Sequence, residues 1–133
     1  MATKKLLEAL EYVGVLALEF FVSNDTVICN EFAPRPHNSG HFSMDACRIS
    51  QFELQLLTLC NLELSLEKLE TVPCIMKNII GFDFTEKEQV FIKFLSSDEY
   101  RLHLYQKDQP KIGRKMGHWN YLGKNEFFDA FPE

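Results

Sequence analysis

Pro34 and Pro36, one residue apart and directly after a run of strand-forming side chains, restrict the fold of this chain more than any other feature. Each proline locks its own φ and lacks an N–H, and each pushes its predecessor, Ala33 or Arg35, toward extended backbone. No helix can pass through this point. Before it, residues 15–22 and 26–32 are mostly β-branched, aromatic or aliphatic, and Ser23-Asn24-Asp25 between them is rich in turn formers. That pattern predicts a β-hairpin running into a rigid exit. The stretch Asn30-Glu31-Phe32-Ala33-Pro34-Arg35-Pro36-His37-Asn38-Ser39-Gly40-His41 then gathers a carboxylate, a guanidinium, two imidazoles and two amides. Packing alone does not explain such a loop, and Gly40 allows a sharp turn or a close backbone approach to a ligand.

The remaining elements follow from periodicity and punctuation. Leu6, Leu7 and Leu10 lie at helical spacing, so residues 4–12 predict a short amphipathic helix that stops near Gly14. Ser50-Gln51-Phe52-Glu53 has the form of a capping box, opening a helix over 51–61. Residues 62–71 lose strand character and Pro73 marks a boundary. Residues 74–80 read as a buried strand ending at Gly81, 85–95 as an amphipathic segment or long connection, and 100–105 and 116–122 as strands. Between the last two lies a charged loop with Lys107, Lys111, Arg114 and Lys115. The fold class is therefore α+β, an antiparallel sheet with helices followed by a small β-rich domain, divided into residues 1–72 and 73–133. Phe20, Phe21 and Phe52 are expected in the core, and His103 and His118 in structural roles.

With 133 residues, 46% of them hydrophobic, the chain can bury a real core as one domain or two small lobes. Its net charge of -5 and the absence of a basic stripe argue against nucleic acid as a partner. No apolar run approaches the roughly 18 residues of a membrane span. Lys4, Lys5 and Glu8 stand where a signal peptide would be apolar, so a cytoplasmic protein with no membrane partner is expected. Cys29, Cys47, Cys60 and Cys74 show neither zinc-finger nor C-x-x-C spacing and are expected to be reduced and mostly buried.

Glu19 interrupts an otherwise apolar strand, where an unpaired carboxylate is costly to bury. If the hairpin closes through three residues centred on Asp25, Glu19 stands opposite Glu31; with a two-residue loop it faces Asn30 instead. Like charges in direct opposition destabilise a sheet unless a cation stands between them, and paired carboxylates suit Mg²⁺. The plainer reading is an edge-strand Glu pointing to solvent.

Glu19, the Asn30–His41 loop and Ser50-Gln51-Phe52-Glu53 together resemble the C-terminal part of an ATP-grasp enzyme of the N5-carboxyaminoimidazole ribonucleotide synthase family. Tyr105-Gln106-Lys107 through Gly113-Arg114-Lys115-Met116-Gly117-His118 is similar to that family's Y-x-K...GRKxGH signature. The formate-dependent glycinamide ribonucleotide transformylases share the N-E-x-x-P-R-P-H core, but typically continue Asp-Thr-Gly-Met where this chain has Asn38-Ser39-Gly40-His41. The resemblance runs from about residue 7 to 121.

This resemblance implies that residues 1–72 are the C-terminal half of an ATP-grasp module and 73–133 a small C-terminal domain. It implies a ligase that uses ATP, Mg²⁺ and bicarbonate to make carboxyphosphate, then carboxylates the exocyclic amine of 5-aminoimidazole ribonucleotide in purine biosynthesis. Glu19 and Glu31 would hold metal, with Asn30 assisting at the cofactor site. Arg35, Lys107 and Arg114 would be catalytic, and His37, Asn38, Ser39, His41 and Lys115 would bind substrate. Family members are longer, so the chain is expected to be a C-terminal fragment that lacks the N-terminal half, is inactive alone and is homodimeric in the intact enzyme. The alternative is a non-catalytic interaction or regulatory remnant of an ATP-grasp protein.

Overall fold

The computed structural model describes residues 2–24, 26–63, 70–81, 92, 95–109 and 111–123. It forms two compact units, Met1–Glu70 and Thr71–Glu133. In the first, helix α1 (Ala2–Ala9) leads into strands β1 (Ala17–Ser23) and β2 (Thr26–Ala33). A 3-10 turn (Asn38–Gly40) and helices α2 (Ser43–Ala46) and α3 (Gln51–Leu59) follow. Lys4 and Glu8 pair across one turn of α1 at 3.7 Å, and the helix ends where Glu11 takes φ 48° and Tyr12 N–H reaches back to Leu7 O. The Tyr12 hydroxyl then lies 2.9 Å from Pro34 O and 3.1 Å from Val15 O, tying the proline exit to the start of the hairpin.

The hairpin combines the two registers that the turn left open. Ser23 pairs with Thr26, leaving two residues between the strands, with Asn24 at the left-handed φ of 49° that a tight hairpin turn requires. Four residue pairs hold this register as far as Phe20↔Cys29; the pairing then shifts to Glu19↔Glu31, Leu18↔Phe32 and Ala17↔Ala33. Asn30 is the extra residue of this β-bulge. Glu19 thus meets Glu31 in a hairpin whose turn alone would have set it against Asn30.

Three burial expectations are corrected. Phe20 and Phe21 are 40% and 61% exposed, because this sheet has two strands and cannot cover both of its own faces; Phe52 is exposed as well. The cysteines are free thiols as expected, yet Cys29 and Cys60 are exposed and only Cys47 and Cys74 are partly covered. Burial pushes the Cys47 thiol up, which keeps it protonated.

The capping box of α3 forms as expected. Glu53 N–H donates to Ser50 Oγ at 3.2 Å, and Ser50 N–H donates to Glu53 Oε2 at 2.8 Å. The Ser50 backbone N–H, and after it the Ser50 hydroxyl, hydrogen-bond the Glu53 carboxylate and hold it below the usual carboxylate range. A depressed folded-state pKa gives stability that is complete above the unfolded-state value and is lost as pH falls through the folded value. Ser50→Ala removes the hydroxyl that caps Glu53 N–H, at about 1 kcal/mol; it keeps the Ser50 backbone N–H, so only the smaller, hydroxyl part of the effect on Glu53 should fade from neutral pH to acid. Urea denaturation at both pH values checks this.

In the second unit, strands β3 (Ile75–Ile80), β4 (Tyr100–Leu104) and β5 (Lys115–Tyr121) form an antiparallel sheet in the order β3-β5-β4. Ile79, Met116, Trp119 and Tyr121 are buried, with Ile75, Tyr100 and Leu102 packed against them. The expected buried strand over 74–80 is an edge strand in which only Ile79 is buried and Ile80 is exposed. Alternation puts His118 and Asn120 on the opposite face from Trp119, both fully buried. The His103 and His118 rings stack at 4.6 Å, in keeping with structural roles. The segment expected over 85–95, apart from Ile92 and Leu95, and residues 64–69 fall outside the described residues.

Candidate metal and substrate site

The bulge at Asn30 builds the site. It brings Glu19 and Glu31 into opposition and leaves Asn30 Nδ2 3.5 Å from Glu19 Oε2. His37 completes the cluster, with Nδ1 3.5 Å from Glu19 Oε1 and Nε2 3.8 Å from Glu31 Oε1. Ligand atoms of all three residues lie within 4.8 Å of one another. The sequence placed His37 with the substrate residues only, since nothing local shows that the Pro34-Arg35-Pro36 exit carries its ring back to the carboxylates.

His37 is also the N-cap of the 3-10 turn. Its Nδ1 accepts from Ser39 N–H at 3.3 Å and lies 2.8 Å from Ser39 Oγ. The neutral ring therefore carries its proton on Nε2, which faces Glu31. The two opposed carboxylates offer hard oxygen donors that suit Mg²⁺, and a cation there would relieve the repulsion between Glu19 and Glu31. Nδ1 of His37, already accepting from Ser39, is not required in that set.

Beyond His37 the loop folds onto Gln51, the first residue of α3 and, with Ser43, a buried polar residue among the described residues of its unit. Gln51 bonds both backbone groups of His37 and lies 2.8 Å from His41 Nδ1. Ser43 Oγ donates to Gly40 O at 2.6 Å and accepts from Gln51 N–H at 2.9 Å. His41 stacks obliquely near Phe52, with centroids 5.5 Å apart. Asn38 gives its carbonyl to His41 N–H at 3.1 Å, and Arg35 is exposed, with its guanidinium donating to Pro36 O at 3.0 Å. The sequence reading missed Gln51, although its place directly behind a helix cap and ten residues after His41 was visible.

The second unit holds the remaining basic candidates. Lys107 Nζ donates to Lys115 O and lies 5.4 Å from the centroid of the Tyr105 ring. Arg114 forms a turn with Lys111 and accepts from Gly81 N–H through its carbonyl; its guanidinium reaches Gln109 O only at 3.5 Å. Lys107 and Lys115 thus meet at one corner of the sheet, and Lys115 and Arg114 are exposed. Behind them the Tyr105 hydroxyl lies 2.9 Å from His118 Nδ1, and burial raises its pKa so that it stays a neutral phenol.

Comparison with known proteins gives these geometries a family. The family model described as ATP-grasp domain matches residues 1–52, and the one described as phosphoribosylaminoimidazole carboxylase C-terminal domain matches 74–127. The N5-carboxyaminoimidazole ribonucleotide synthase of Brucella melitensis is 47% identical over 118 residues, which are 88% of this chain and 31% of that protein. The crystal structure of the Staphylococcus aureus N5-carboxyaminoimidazole synthetase complexed with ADP superposes with a TM-score of 0.80 at 36% identity, covering 92% of this chain and 32% of that one. The Aspergillus clavatus synthase in complex with ADP and 5-aminoimidazole ribonucleotide gives a TM-score of 0.70 at 37% identity, covering 83% and 30%.

The first match defines an ATP-grasp protein. Within that class the chain belongs to the N5-carboxyaminoimidazole ribonucleotide synthase family and corresponds to its C-terminal part. It spans about a third of the length of the curated relatives it matches.

Proposed function

We propose that this chain supplies the metal- and substrate-binding part of an ATP-dependent carbon–nitrogen ligase that converts 5-aminoimidazole ribonucleotide, ATP and bicarbonate to N5-carboxyaminoimidazole ribonucleotide through carboxyphosphate. The observation that carries the reading is the opposition of Glu19 and Glu31 across the bulge at Asn30, beside a loop of fixed donors. Residues 1–72 act as the C-terminal part of the ATP-grasp domain and 73–133 as the small C-terminal domain of a cytoplasmic, homodimeric enzyme.

Glu19 and Glu31, with Asn30 assisting, hold Mg²⁺, which supplies charge neutralisation at the ATP phosphates during phosphoryl transfer. Arg35 presents a planar fork to bicarbonate or carboxyphosphate oxygens, and its permanent charge stabilises the developing acyl-phosphate anion. His37, Asn38, Ser39 and His41 bind and orient the substrate. Lys107 and Arg114 contribute positive charge for the ribonucleotide phosphate and the bicarbonate site, with Lys115 beside them.

The test is co-expression of the 133-residue chain with the N-terminal part of the Brucella melitensis relative, followed by an assay of ADP release dependent on bicarbonate and 5-aminoimidazole ribonucleotide. Activity is expected only when both parts are present. Turnover by the chain alone, or a soluble assembled complex with no turnover, would overturn the reading.

A further inference from the structure

We infer that Gln51 is a positioning residue: its side-chain amide locks the backbone at His37 and fixes His41 as the neutral tautomer that carries its proton on Nε2. The hydrogen-bond roles leave little freedom. Gln51 Oε1 accepts from His37 N–H at 2.9 Å and Nε2 donates to His37 O at 2.8 Å. A flipped amide would set NH₂ against N–H and carbonyl against carbonyl, so the orientation is determined. The second N–H of Nε2 faces His41 Nδ1 at 2.8 Å. An amide N–H can only donate, so Nδ1 must accept and the ring proton lies on Nε2.

The same contact opposes protonation of Nδ1, which would turn two donors toward each other. His41 is thereby a hydrogen-bond donor and not a general base. The clamp is rigid because Gln51 is buried at the start of α3 and its own N–H is anchored through Ser43 Oγ to Gly40 O. Gly40 is what admits it: a Cβ there would meet Gln51 Oε1 and come within 2.9 Å of its Cδ. The tautomer stands on these bonds alone. Its use, an Nε2–H donated to an anionic oxygen of substrate, rests on the proposed function.

The experiment is long-range ¹H–¹⁵N correlation on the ¹⁵N-histidine-labelled 133-residue chain at pH 7 without nucleotide, with His41 assigned by its loss in His41→Gln. In the parent, His41 Nδ1 should be unprotonated and Nε2 protonated. Gly40→Ala drives a methyl into the Gln51 amide and should release it from the clamp, so that in the folded chain His41 becomes a mixture of tautomers. Gln51→Glu replaces the donor with an acceptor and should move a proton onto Nδ1. A parent His41 protonated on Nδ1 would overturn the inference, as would a folded Gly40→Ala chain whose His41 pattern matches the parent. If Gln51→Glu does not fold, the parent and Gly40→Ala decide the matter. No nucleotide enters the measurement, so its failure is separate from failure of the ligase reading, which the co-expression assay decides.

Discussion

Glu31→Gln is expected to lower ADP release by the co-expressed enzyme on the order of 100-fold or more, as loss of a group that positions charge at a phosphoryl-transfer site does. The same substitution should raise the thermal stability of the 133-residue chain. Glu31 stands opposite Glu19 across the bulge, and direct opposition of like charges destabilises a sheet by roughly 0.2–1 kcal/mol. The Glu31 side chain is 50% exposed, so solvent screens the repulsion and the gain belongs at the low end of that range. It should shrink further at high ionic strength. Gln keeps the shape and an oxygen, so lost activity cannot be assigned to misfolding. Thermal denaturation at low and high salt, with the assay at saturating ATP, separates the two effects. A variant that is less stable than the parent, or that keeps its turnover, would make Glu31 an ordinary edge-strand carboxylate facing solvent.

What the sequence revealed and what it withheld follow from the range of the interactions involved. The hairpin and the capping box of α3 were legible because turn formers, strand formers and the S-x-x-E spacing act within a few residues. The bulge was not. Turn length offered either Glu31 or Asn30 opposite Glu19, while the structure keeps the two-residue connection and recovers the Glu31 pairing by inserting Asn30, a choice made along the strands and not at the turn. Phe20 and Phe21 look like core by residue type, but burial depends on what packs against them, and a two-stranded sheet leaves them exposed. Gln51 was legible only as a helical position. Its clamp depends on Pro34 and Pro36 turning the chain so that both backbone groups of His37 face α3, which no periodicity encodes. Lys107 read as a basic loop residue, yet its partner, the carbonyl of Lys115, lies where β5 pairs with Ile80 of β3, a register that no local pattern encodes.

Trp119→Ala should unfold the second unit. Trp119 is 2% exposed at the centre of the sheet, edge-on to Tyr100 with centroids 6.4 Å apart, and packs in the cluster with Ile79, Met116 and Tyr121. Removing so large a buried ring costs about 3–5 kcal/mol. The whole unit Thr71–Glu133 has only roughly 3–9 kcal/mol of stability at ordinary values per residue. Trp119→Phe keeps an aromatic ring beside Tyr100 and should cost roughly 1–2 kcal/mol, leaving the sheet folded. The consequence reaches the basic corner, because Lys107 is held by Lys115 O and Tyr105 N–H by Met116 O, and both carbonyls belong to the strand that carries Trp119. Loss of dispersed amide signals from Ile75–Ile80, Tyr100–Leu104 and Lys115–Tyr121 in the Ala variant, with their retention in the Phe variant, is the expected pattern. Trp119 is the single tryptophan of the chain, so its fluorescence in the parent reports denaturation of this unit directly. A folded Ala variant with unchanged signals from these strands would mean that the ring adds little to the sheet, and that Lys115 owes its placement to the backbone pairing of β5 with β3.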